Sequence, residues 1–170
     1  MLTRKKIHKL YALFFCVLSA SIYAQTIPVY KINTLLQRIH NHSDTIYVVN
    51  FWATWCKPCV MELPEFDRFS KEHSQEKIKV LLVSMDFKED ITKKLIPFLD
   101  KHPLKTEVVL LDEIDGNVFI NKISEQWSGA IPATLFTYKN KIKTQFVEKK
   151  LNYDQLIEIV KDIKDKFISN

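Results

Sequence analysis

The chain has 170 residues, 46% of them apolar and 26% charged, with a formal net charge of +5 and only two glycines. That length suits one domain, and the apolar share is enough for a packed core, which excludes a disordered or low-complexity chain. The positive charge is local: Arg4, Lys5, Lys6 and Lys9 stand in residues 1–24 without an acidic residue, so +5 minus 4 leaves about +1 for the remainder and excludes a broad nucleic-acid or membrane-surface footprint.

In residues 1–24 the basic head is followed by an apolar run over 10–24, rich in small residues towards its end, which is the layout of a secretory signal cleaved after Ala24. The run is about 15 residues, short of the roughly 20 that span a bilayer, and an uncleaved membrane anchor is the alternative. Phe14 and Phe15 stand where a lipoprotein signal needs small residues before Cys16, which argues against lipidation. Removing this segment removes Cys16 as well, so residues 25–170 read as a single domain whose cysteines are Cys56 and Cys59.

Ile32, Leu35, Leu36 and Ile39 recur at i, i+3, i+4 and i+7, the apolar face of a helix ending near His40 and His42. Those two histidines have no Cys or carboxylate companions and read as a solvated helix end. A buried strand follows over 45–52. Beyond the cysteines, Cys59, Leu63, Phe66 and Ser70 mark a helix reaching about His73, with Phe69 beside that face and Pro64 expected to kink it. Residues 77–85 read as a fully buried strand, 91–102 as a helix bent or restarted at Pro97, and 108–111 as a short apolar strand. Asp115-Gly116 makes a turn into a short helix over 117–125, and Gly129-Ala130-Ile131-Pro132 breaks the chain before a strand over 133–138. Lys139-Asn140-Lys141 turns that strand into a hairpin partner over 142–148. Asn152 and Gln155 form a capping-box start for a last helix with its apolar face on Leu156, Ile159, Val160, Ile163 and Phe167. Strands alternating with helices argue an α/β sheet.

The chemistry-bearing stretch is Trp55-Cys56-Lys57-Pro58-Cys59, where an apolar run delivers two cysteines to a helix start. A thiolate, not a thiol, attacks a disulfide, and the unpaired N–H groups and partial positive charge of a helix N-terminus favour ionisation of a cysteine placed there. The spacing puts both sulfurs within one turn, which allows a small disulfide ring; Cys56 is then the nucleophile and Cys59 the resolving thiol. Pro58 has a fixed φ that fits a first helical turn, and Lys57 adds positive charge nearby. A zinc site needs about four ligands, and His40, His42, His73 and His102 are scattered, so no metal site is expected. Capture of Cu(I) by the two soft thiols is a minor alternative.

W-C-x-P-C after Asn50-Phe51-Trp52-Ala53-Thr54, with Pro64 downstream and a later Gly-x-Ile-Pro, resembles the thioredoxin superfamily, and within it the exported TlpA/ResA-type thiol-disulfide oxidoreductases. The resemblance implies a thioredoxin-like fold, a central mixed β-sheet with helices on both faces. It implies a cis peptide before Pro132, with Ile131 offering its backbone to an extended substrate, and it makes Trp55 substrate-facing surface. Trp52 reads as packing, and Trp127 either lines the same groove or packs in the core. Asn50 stands where many cytoplasmic thioredoxins carry a buried acid, and asparagine there is common in the TlpA/ResA-like group. That group also resembles this chain at Glu62, three residues after Cys59 and so near the resolving thiol; proton handling is its functional reading and an exposed helix charge the other. One departure is that a helix-like segment leads directly into the strand at Thr45, where the exported group enters through an N-terminal hairpin, although 85–105 resembles that group's strand-helix insertion.

The expected function is dithiol-disulfide exchange at Cys56 and Cys59 in an exported enzyme that reduces disulfide-bearing extracytoplasmic proteins. It needs no cofactor beyond the redox-active disulfide and draws electrons from a membrane thiol donor. An oxidase or isomerase of the same fold is the alternative within the class, because redox poise spans about −270 to −120 mV across such proteins. A thiol-based Cu(I) carrier or a redox-inert scaffold is the alternative outside it. Oligomeric state is left open by the sequence.

Overall fold

Strand β2, Ile46–Trp52, is buried along its whole length, and the sheet is built outward from it. The computed structural model describes residues 26–40, 44–138 and 143–167; the expected signal with Cys16, the His42 position and the Lys139-Asn140-Lys141 turn lie outside them. Strand β1 is Val29–Tyr30, followed by helix α1, Ile32–His40. After β2 come helix α2, Lys57–Glu72, and strand β3, Ile78–Ser84. A 3-10 turn at Lys88–Asp90 and a π turn at Ile91–Leu95 lead into helix α3, Ile96–Lys101, then strand β4, Glu107–Leu111. Helix α4, Gly116–Ile123, strands β5, Ala133–Tyr138, and β6, Lys143–Val147, and helix α5, Tyr153–Phe167, complete the chain.

The six strands lie in the order β1-β4-β3-β2-β5-β6. β1, β4, β3 and β2 run parallel, while β5 is antiparallel to both β2 and β6, so the sheet is mixed. Because successive side chains on a strand point to opposite faces, β2 feeds two separate cores. Ile46, Val48 and Trp52 pack with Phe66 of α2, Leu99 of α3 and Leu156 of α5 on one side. Tyr47, Val49 and Phe51 pack with Leu35 of α1 and Phe119 of α4 on the other. Helices therefore cover both faces, and the architecture is the thioredoxin-like α/β sandwich.

Four local features differ from the sequence expectations. On α2 the buried face is Cys59, Glu62, Leu63, Phe66 and Phe69, so Phe69 rather than Ser70 faces the core; Pro64 lies inside the helix without ending it. The segment 91–102 is not one helix: Pro97 has no N–H to offer, and a π turn precedes the α-helical part. Asp115 is not merely a turn residue but the N-cap of α4, its side chain accepting from the Asn117 N–H. Finally, two residues before α1 form β1, which pairs with β4 and supplies an edge strand that two residues of sequence could not signal. The capping box of α5 forms as its spacing suggests: Asn152 accepts from the Gln155 N–H at 2.9 Å and Gln155 accepts from the Asn152 N–H at 3.0 Å.

Candidate active site

Strand β2 ends at Trp52, and the turn that follows, closed by the Cys56 N–H donating to the Ala53 carbonyl at 3.1 Å, delivers Cys56 as the N-cap of α2. Cys56 and Cys59 form a disulfide with their Cα atoms 5.3 Å apart. The Cys59 N–H donates to Cys56 Sγ at 3.3 Å, one of the four otherwise unpaired donors of a helix start. A thiolate at Cys56 would receive that same donor together with the positive end of the helix dipole. Cys56 keeps 6% of its surface exposed and Cys59 none, so an incoming sulfur reaches Cys56 first. Lys57 and Pro58 lie exposed in the first helical turn.

The Ile131-Pro132 peptide is cis, and the Ile131 carbonyl oxygen stands 3.7 Å from Cys56 Sγ. The loop that presents it is tightly specified. Gly129 has φ of 96°, where a Cβ would also come within 3.0 Å of Ile120, so a glycine is needed there. The Trp127 indole N–H donates to the Ala130 carbonyl at 2.8 Å, and Glu148 accepts from both the backbone N–H and the hydroxyl of Ser128. Trp127 is buried against Phe51, Phe119 and Phe146, which resolves its two sequence readings in favour of core packing. Trp52 is likewise core, whereas Trp55 is 66% exposed beside the cysteines. Trp55, Phe87, Ile114, Gly129 and Ile131 line a cleft of about 190 Å³.

Behind Cys59 the α2 helix brings Glu62 to the sheet, fully buried. Asn50 of β2 faces it, donating from Nδ2 to Glu62 Oε1 at 2.7 Å and to Thr134 Oγ1 at 3.1 Å; Thr134 is its register partner on β5. The Leu151 N–H donates to Glu62 Oε2 at 2.7 Å. Burial pushes the Glu62 carboxyl up to about 7, against the opposing pull of the Leu151 and Asn50 hydrogen bonds and of Lys150. The exposed-charge reading of Glu62 is thereby excluded. Its partner Leu151 carries no sequence signal, because it lies 89 positions away and is joined to it only by the fold.

On the opposite flank Asp86, just beyond β3, accepts from the Thr54 N–H and hydroxyl and from the Ser84 hydroxyl. The sequence assigns Asp86 no role, since the expected strand stops at residue 85; the one signal available is an acid directly after a largely apolar strand. Among the described residues no group of three or more His, Cys, Asp or Glu is placed to hold a metal, and no helix is long and apolar enough to cross a membrane.

A sheet of this order, a C-x-x-C disulfide at a helix N-cap and a cis-proline loop against it define the thioredoxin-like class. The model of the AhpC/TSA family matches residues 31–147, and the chain belongs to that family. It is 36% identical over 77 residues to thioredoxin-like protein YneN of Bacillus subtilis, covering 45% of this chain and 44% of that one. It is 28% identical over 116 residues to thiol-disulfide oxidoreductase ResA of Oceanobacillus iheyensis, covering 68% and 56%. The chain thus spans about half the length of these curated relatives. Among solved structures, a thioredoxin-related protein from Neisseria meningitidis serogroup B superposes with a TM-score of 0.63 at 21% identity, covering 73% of this chain and 88% of that one. StoA from Bacillus subtilis superposes with a TM-score of 0.55 at 20% identity, covering 70% and 84%. These two likenesses speak to the fold.

Proposed function

We propose that this chain is an exported thiol-disulfide oxidoreductase that reduces disulfides in extracytoplasmic proteins. The observation that carries the reading is the Cys56–Cys59 disulfide at the N-cap of α2, with an edge of Cys56 reached by solvent beside the Ile131 backbone and Cys59 fully buried behind it. The names of the ResA and YneN relatives support it. The basic head and apolar run over 1–24 support export, either as a cleaved signal or as an anchor.

In the reductive direction the Cys56 thiolate attacks one sulfur of a substrate disulfide. A new S–S bond to Cys56 forms, the substrate bond breaks, and the first substrate sulfur leaves as a thiolate that takes a proton. Cys59 then loses its proton and attacks Cys56 Sγ, which closes the enzyme disulfide and releases the second substrate sulfur. Two electrons pass to the substrate, and the enzyme ends as Cys56–Cys59. Glu62 sits one helical turn from Cys59 with a proton affinity near neutral, where a base is most effective, and it takes the Cys59 proton in this reading. Trp55 and Ile131 form the surface on which the substrate chain lies, and Pro132 fixes Ile131 there. A membrane thiol donor would return the pair to the dithiol.

Insulin-disulfide reduction by the full chain with dithiothreitol as electron source tests the activity. Turnover that disappears in Cys56→Ser supports it, and intact insulin disulfides with the wild-type protein overturn it. The reduction potential of the pair tests the direction: a value well above about −200 mV replaces reductase by oxidase or isomerase.

A further inference from the structure

We propose that Asp86 is a positioning residue for exchange at the cysteine pair: it fixes the Thr54-Trp55 turn that delivers Cys56 to the start of α2. The proposal rests on the redox reading of Cys56 and Cys59 but concerns a residue thirty positions beyond Cys56 in sequence.

The sheet register sets up the contact. β2 and β3 run parallel with Trp52 opposite Ser84, so both strands end at the same edge, and the Met85 N–H donates to the Trp52 carbonyl at 2.7 Å. Asp86 then turns its side chain, 3% exposed, across to the other strand's exit. Its Oδ1 accepts from the Thr54 hydroxyl at 2.6 Å, and its two oxygens share the Thr54 N–H at 3.1 and 3.3 Å. The Ser84 hydroxyl donates to Oδ2 at 2.8 Å and accepts from the Asp86 N–H at 3.1 Å, which fixes the carboxylate's own backbone.

A carboxylate buried in this way is costly unless donors surround it, and no ion pair reaches Asp86 among the described residues. Three donors surround it here: the Thr54 N–H, the Thr54 hydroxyl and the Ser84 hydroxyl. Two of the three belong to Thr54, whose N–H has left the β2 ladder and whose next-but-one neighbour is Cys56. The turn has only the single Cys56-to-Ala53 backbone bond otherwise. With Thr54 held, Cys56 stays over the Cys59 N–H, and Trp55 stays as a wall of the cleft opposite Phe87, the residue after Asp86. Asp86 thus ties both walls together without touching the sulfurs.

The two ways in which Asp86 could act on the cysteines can be separated. An asparagine at position 86 removes the charge, yet it can still accept the Thr54 N–H and the Ser84 hydroxyl and donate to Thr54 Oγ1, since a hydroxyl serves as donor or acceptor. An alanine removes charge and hydrogen bonds alike.

The test is the equilibrium of the full chain with glutathione, in which the protein disulfide and two thiols exchange for the protein dithiol and one glutathione disulfide. We expect Asp86→Ala to shift this equilibrium at least tenfold towards the dithiol, about 30 mV, because a loosened turn holds the two sulfurs together less well. Asp86→Asn should stay within threefold of wild type. Thr54→Val, which removes only the hydroxyl donor, should shift the equilibrium in the same direction by less than Asp86→Ala and still reports if the alanine variant does not fold. An Asp86→Ala equilibrium equal to wild type overturns the proposal, as does an Asp86→Asn shift as large as that of Asp86→Ala, which would assign the effect to charge. If the alanine variant does not fold, an unchanged Thr54→Val equilibrium overturns it. The glutathione equilibrium needs no protein substrate. Failure of insulin reduction with a normal glutathione equilibrium therefore counts against the proposed function alone.

Discussion

Two buried carboxylates flank the cysteine pair, and their surroundings give them different work. Glu62 stands behind Cys59 with a single hydrogen-bond donor at each oxygen, Asn50 Nδ2 and the Leu151 N–H. Those two bonds do not offset its desolvation, and the carboxyl is pushed up to about 7. Asp86 stands before Cys56 with the Thr54 N–H, the Thr54 hydroxyl and the Ser84 hydroxyl all directed at it, and two of those donors belong to the turn that carries the nucleophile. Burial alone does not decide what an acid does. In the proposed reading, the number of donors and the element they come from suit the rear acid to carrying a proton and the front acid to clamping the turn.

The division between front and rear breaks first at the cysteines. Cys56→Ser removes the one sulfur of the pair that solvent reaches, and insulin reduction should be abolished while far-ultraviolet circular dichroism is unchanged. The next largest effect belongs to the core beside the front cleft: Trp127→Ala should lower unfolding free energy by about 3–5 kcal/mol in denaturant titration, as for other buried aromatics. Trp55→Ala should change stability by no more than about 0.5 kcal/mol, since that side chain is mostly exposed, while weakening insulin reduction. Equal stability losses in the two variants would erase the distinction between core and substrate-facing tryptophan.

The rear acid makes a signed prediction. Folded Glu62 binds its proton up to about pH 7, whereas in the unfolded chain it releases it near 4.5. The folded state therefore holds more protons between these values, and this contribution to stability is present below about 4.5 and lost as pH rises through 7. The lost contribution is about 3 kcal/mol at most, at 1.36 kcal/mol per pH unit. Glu62→Gln should flatten that decline in urea titrations across the window, with Asn50 able to turn its otherwise unpartnered Oδ1 towards the new amide. A wild-type chain whose stability does not fall between those pH values would remove Glu62 as a proton carrier. A smaller effect than that of Glu62 is expected from Thr134→Val, which deletes one acceptor of Asn50 and should cost about 1 kcal/mol in urea titration.

Much of the fold was legible because it rests on periodicities. The largely apolar runs of β2 and β3, the stripes of α1 and α5 and the capping pair Asn152 and Gln155 all declare themselves within a few residues. The C-x-x-C pair was legible from its spacing at a helix start, the Ile131-Pro132 step through resemblance, and Glu62 through resemblance joined to its helical spacing from Cys59. What stayed hidden are connections made across the sheet. That Asn50 hands its amide to Glu62 follows only when α2 is laid over β2, and that Asp86 reaches Thr54 follows only when β2 and β3 end level. The π turn before Pro97 was half legible, since a proline announces a missing donor but not how the preceding turn accommodates it.

The most direct measurement is a trapping experiment. Reduced Cys59→Ser protein, mixed with insulin and quenched with an alkylating agent, should accumulate a one-to-one mixed disulfide, and peptide mapping should place the insulin sulfur on Cys56. Absence of that adduct, in a folded variant whose Cys56 thiol still alkylates, would contradict the account of Cys56 as the nucleophile of a thiol-disulfide exchange enzyme.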